Sequence, residues 1–187
     1  MALVKNSGGG SSGGVGGLSL VSKTVLASPG TFSLSALPQT FADLEIRFLI
    51  RGTAAAASDL LKVQLNGDSG ANYSSQFMSA SGAGPTGGES FANASWAVAQ
   101  IASASANASY FTSVILQLFG YASTNWFKMA RMSQTMALGV TTTNMQVTEF
   151  ALQWIQTAAI TSVTAAGNAT ANLATNSEVW VYGRGAL

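Results

Sequence analysis

The chain has 187 residues, 48% of them hydrophobic and only 8% charged, with a net charge of +1 and neither Cys nor His. That length supports one sizeable domain with its own core. The composition excludes disulfides, Cys/His zinc sites, Ser-His-Asp and Cys-His catalysis and imidazole acid–base chemistry, and the scattered Lys and Arg give no basic patch for nucleic acid.

Residues 1–17 read as an arm. GGGSSGGVGG (8–17) is a flexible tether that cannot bury a core. The preceding MALVKNS (1–7) reads as an anchor that docks on a partner. This N-terminus has no apolar signal-peptide core, and no stretch approaches the roughly 18–20 apolar residues of a membrane span. Synthesis in the cytoplasm and no membrane contact are expected.

The rest, 18–187, reads as one β domain. LSLVSKTVLA (18–27) is mixed apolar and β-branched. TFSLSAL (31–37) alternates, with Phe32, Leu34 and Ala36 on one face and Pro38 ending it. LEIRFLIRG (44–52) places Leu44, Ile46, Phe48 and Ile50 on one side and Glu45, Arg47 and Arg51 on the other. LLKVQL (60–65) repeats the pattern with Leu61, Val63 and Leu65 inward. A period of two with a polar opposite face predicts antiparallel sheet with one side buried.

NGDSGANY (66–73) comes next. A calcium loop needs alternating acids and a later Glu, and Asp68 stands alone. A phosphate loop needs a Gly-Lys-Ser/Thr ending that is absent. Asn66-Gly67 after an alternating strand is a hairpin signal, because a type I′ turn needs positive φ at both central residues. The segment is read as a structural turn built on Asn66, Gly67, Asp68 and Gly70, with Asp68 and Asn72 bonding nearby backbone amides.

Residues 79–95 read as a loop by composition, and 97–109 as a short helix or weak strand. YFTSVILQLFGYA (110–122) is a strong strand with Val114, Leu116 and Leu118 facing one way and Ile115 and Phe119 the other. NWFKMARM (125–132) gathers Trp126, Phe127, Lys128 and Arg131; a loop folding its aromatics into the core is preferred over an exposed patch that stacks on a sugar or partner. Further strands are read in 147–157 and 160–176, the latter ending in a turn-rich loop, and 177–187 closes the domain, with Val179 and Val181 alternating with Trp180 and Tyr182. Many short strands and few helical patterns predict an all-β, antiparallel β-sandwich or jelly roll.

The seven acids, Asp43, Glu45, Asp59, Asp68, Glu89, Glu149 and Glu178, show no spacing that implies a facing catalytic pair. Glu45 and Arg47 read as a surface ion pair. No enzyme and no cofactor are expected. A soluble domain ordinarily carries about 25% charged residues, so a chain at 8% is expected to have much of its surface covered by other subunits, the alternative being a protein that works outside a cell.

LPQTFADLEIRFLIRG (37–52) followed by VQLNGDSGANYSSQF (63–77) resembles the "PxTYTDLxLxxxxR … xRFNGDxGxNYS" signature of small tailed-bacteriophage structural proteins. LQLFGYASTNWFKMARM (116–132) is similar in outline to that family's "ILDYANTNKYK" block, and SEVWVYGRG (177–185) to its closing "LYGI" strand. The resemblance spans about residues 18–185 in one order. Phe41 stands where the family has Tyr, and Leu65 departs from the signature as well. The resemblance implies a virion surface component: a capsid decoration (cement) protein bound to the major capsid protein, or a head-fibre or tail appendage contacting the host. A ring of three copies is the geometry expected for a sandwich of this kind. The arm would reach a neighbour, and Leu49, Ile115, Trp180 and Tyr182, joined by Trp126 and Phe127, are the candidate interface.

Overall fold

The computed structural model describes residues 17–82, 84–137, 145–170 and 172–186. The expected arm, apart from Gly17, lies outside them. The described chain is all-β: β1 (Leu18–Val25), β2 (Phe32–Leu34), β3 (Phe41–Ile50), β4 (Ser58–Leu65), β5 (Tyr73–Ser81), β6 (Gly84–Asn93), β7 (Trp96–Ala102), β8 (Thr112–Phe119), β9 (Lys128–Ala137), β10 (Met145–Trp154), β11 (Val163–Gly167) and β12 (Glu178–Ala186). They form two antiparallel sheets of unequal width, one ordered β1-β12-β3-β8-β9-β10-β5-β6 and one ordered β2-β11-β4-β7.

The core lies between the sheets. Alternation dictates its large-sheet side: Leu44, Ile46, Phe48 and Ile50 of β3, Val114, Leu116 and Leu118 of β8, and Val179 and Val181 of β12 are all buried. The small sheet answers with Leu61, Val63 and Leu65 of β4 and Val163 and Ala165 of β11. Each fully buried Val, Leu, Ile or Phe side chain among them contributes about 1.5–3 kcal/mol relative to exposure. Trp96 of β7 ties the layers together. Its indole N–H donates to the carbonyls of Ser74 and Gln153, both at 3.1 Å, and its ring meets Tyr73 edge-on at 5.5 Å.

Three sequence expectations change and one open alternative closes. Residues 79–95 are mostly strand, the β5–β6 hairpin with Gly84 at φ 107°. β6 is an edge strand, paired on one side only, so Pro85, Gly87 and Gly88 are tolerated there and hide the strand from composition. Of the two alternatives for 97–109, the strand is the one that forms, over Trp96–Ala102. β2 stops at Leu34; Ala36 turns to φ 53° and is exposed, and Leu37 takes the buried place instead. Arg51, expected on the polar face, is buried. Its guanidinium donates to the carbonyls of Ala104, Ala106, Asn107 and Tyr110, at 2.6–3.3 Å, and gathers the 103–111 loop.

Candidate contact surface

NGDSGANY is a corner between sheets. Asn66 and Gly67 sit at φ 53° and 67°, and the Asp68 N–H closes the turn on the Leu65 carbonyl at 2.9 Å. Yet β4 and β5, which flank it, lie in different sheets and do not pair. The hairpin implied by Asn-Gly is absent because Asn66 binds elsewhere. Its Oδ1 accepts the N–H groups of Thr161 and Ser162, and its amide donates to the Ala159 carbonyl. This clips the end of β4 to the segment entering β11, its true neighbour.

Asp68 holds the corner from inside. One carboxylate oxygen accepts the Gly70 N–H at 2.8 Å; the other accepts the Asn72 amide at 2.9 Å and the Trp154 indole at 2.7 Å. Burial pushes its carboxyl upward, but these three donors outweigh burial and hold it below the ordinary value of 3.8. The Tyr73 hydroxyl accepts the Leu65 N–H at 2.9 Å and donates to the Asp68 carbonyl at 3.1 Å. Burial pushes Tyr73 up to about 12.

Most other acids are likewise engaged in structure. Asp43 accepts the Gly120 N–H, Asp59 the N–H groups of Leu60 and Ala169, Glu149 bonds from Arg131 and Ser133, and Glu178 pairs with Lys23. Glu89 alone has no such partner among the described residues. In that same set, no three His, Cys, Asp or Glu residues come together to hold a metal.

The outer face of the large sheet carries the expected interface residues. Leu49 is exposed, and Ile115, Trp180 and Tyr182 are half-buried. The two aromatics are capped by cations of their own chain: Lys23 lies 5.0 Å from the Trp180 ring centre and Arg47 4.9 Å from that of Tyr182. Arg47 also pairs with Glu45 at 2.6 Å. That carboxylate is buried beneath it, so this is more than a solvated surface pair. Burial raises the Glu45 carboxyl, but hydrogen bonds from Gln117 and Arg47 and the charges of Arg47 and Arg184 bring it below its usual range.

Across the sheet, sequence reasoning missed a second apolar stretch. Met78 is 69% exposed, Met145 66% and Val147 49%. Val147 stands opposite Ala80, and Met78 opposite Glu149. The signal was the parity of MQVTEFALQW (145–154), where outward positions are nearly as apolar as inward ones.

Trp126 and Phe127 correct the preferred reading. They are 55% and 49% exposed, not folded into the core. Lys128 goes in instead. It is buried, and its ammonium donates to the carbonyls of Trp126 and Thr157 at 3.0 and 2.9 Å. Burial lowers its pKa. Because Lys128 begins β9 on the inward side, the two preceding aromatics are held at the surface.

Comparison with family models, curated proteins and solved structures returned no match to this chain.

Proposed function

We propose that the chain is a non-enzymatic structural subunit of a tailed-bacteriophage virion. In this reading it is made in the host cytoplasm and decorates the head as a homotrimer bound to the major capsid protein. One observation carries the reading: large apolar side chains stand exposed along the outer face of the eight-stranded sheet, Leu49, Met78, Met145 and Val147 among them, in a chain with 8% charged residues. Leu49 stands apart from Met78, Met145 and Val147, with Ser113 and Thr135 in register between Leu49 and Val147, and the apolar group on β5 and β10 is the kind of exposed surface that marks an interaction site. The family resemblance supplies the setting.

The exposed Trp126–Phe127 pair favours a second reading, a tail or head-fibre appendage that contacts the host surface. Light scattering on the purified chain separates self-association from its absence. The proposal expects three times the 19.1 kDa monomer mass, reduced to one by Val147→Asp with Met78→Asp. A monomer at all concentrations, with particles that lose no heat resistance when the protein is missing, would refute decoration.

A further inference from the structure

The large sheet is twice as wide as the small one, and its inner face is polar where β5, β10 and β9 run together. Ser79, Thr148 and Gln134 are register partners across these three strands. All three face inward and are buried, at 3%, 3% and 2% exposure. A sandwich core does not place a polar row there without partners, because buried polar groups are costly unless bonded.

Two of the three are satisfied. The Thr148 hydroxyl donates to Ser79 Oγ at 3.0 Å, and the Gln146 amide donates to the same oxygen at 2.7 Å. Gln134 is satisfied on one side only. Its Oε1 accepts the Gln100 N–H of β7 at 3.1 Å, which fixes the orientation of the amide. Its Nε2 is buried and meets no acceptor among the described residues.

These residues line a cleft of about 290 Å³ between the β5–β10 wall and β7. The next inward row is aromatic: Phe77 and Phe150 lie opposite one another, with ring centres 6.1 Å apart. Gly88, across from Phe77, leaves that ring its place, since a Cβ there would stand 2.9 Å from it. Ala97 and Val98 form an apolar opposite wall, and Glu89 and the half-buried Gln146 sit at the mouth.

We propose that this cleft binds a neutral pyranose sugar, free or as the terminal residue of a glycan. A pyranose has a C–H face suited to Phe77 and Phe150, and hydroxyls suited to amides and a carboxylate. In this proposal the unpaired Gln134 Nε2 donates to one sugar oxygen and Glu89 accepts a hydrogen bond from a hydroxyl. No Lys or Arg lines the cleft, so a phosphate or sulfate would find no counter-charge there. The volume equals about ten waters at roughly 30 Å³ each, room for one ring with its hydroxyls. The inference rests on the cleft alone and applies equally to a head or a tail subunit.

Saturation-transfer NMR on the full chain tests it, with the methyl glycosides of glucose, galactose, mannose and N-acetylglucosamine, followed by calorimetric titration of the best. At least one glycoside should bind saturably, and Gln134→Leu should weaken it roughly tenfold. Gln146→Ala, at the mouth, should weaken it as well and covers the case in which Gln134→Leu does not fold. No saturable binding at millimolar concentration, or unchanged binding in the variants that fold, overturns the proposal. An oligosaccharide ending in the same sugar that binds more tightly than the glycoside assigns the cleft to a glycan end, and equal affinity assigns it to a free sugar; both support it.

Discussion

Replacing Asp68 by Ala tests what NGDSGANY does. Three donors converge on this carboxylate, and one of them, the indole of Trp154, belongs to a residue only 2% exposed. Stranding that N–H costs about 1–3 kcal/mol. The bonds from Gly70 and Asn72 lie nearer solvent, where water replaces them in part, and add about 0.5 kcal/mol each. The loss is about 3 kcal/mol, and for a chain of this length each kcal/mol moves Tm by roughly 2–4 °C. Differential scanning calorimetry at neutral pH should show a fall of about 6–12 °C. Asp68→Asn, which keeps one acceptor oxygen, should lose about half as much. The pH dependence follows from the lowered carboxyl. Its stabilisation is present above the unfolded value of 3.8 and is lost as pH falls through the lower folded value. The gap between the native chain and Asp68→Ala should therefore narrow below about pH 4. A Tm change under about 2 °C, or a gap that stays constant into strong acid, would refute the reasoning.

Tyr73 acts at the opposite end of the pH scale. Its pKa rises from 10.0 to about 12 on folding, so its stabilisation is complete below pH 10 and is lost as pH climbs through the folded value. The two-unit difference amounts to about 2–3 kcal/mol, and alkaline unfolding followed by circular dichroism should show a limb there that Tyr73→Phe lacks. Arg51→Met should cost about 3 kcal/mol in urea unfolding, because it strands the four loop carbonyls that the guanidinium now holds. Trp126→Ala and Phe127→Ala should change stability by less than about 0.5 kcal/mol, given their exposure, while weakening adsorption to host cells if the appendage reading holds.

Strands whose two faces differ were legible from the sequence. Leu44, Ile46, Phe48 and Ile50, and Val114, Leu116 and Leu118, alternate with polar, exposed or half-buried residues, and the structure buries them as a set. The β5–β6 hairpin was hidden because an edge strand is held on one side only, and its glycines and proline read as loop. Asn66-Gly67 announced its backbone conformation but not its partner. A turn signal is local, whereas the choice of β11 over β5 depends on hydrogen bonds 93–96 residues away. Trp126 and Phe127 were misread because burial was argued from residue type, while the inward position was taken by Lys128 and its two carbonyl partners. The row Ser79–Thr148–Gln134 was invisible for a related reason: three polar residues on separate strands become a site only once register aligns them.

The central claim, a structural subunit present in many copies on a virion, is tested most directly by counting. Quantitative mass spectrometry of purified particles should give this chain at a high icosahedral fraction of the major capsid protein. Its absence from particles would contradict the claim of a virion subunit, and a handful of copies would contradict decoration and move the chain to a tail or vertex position.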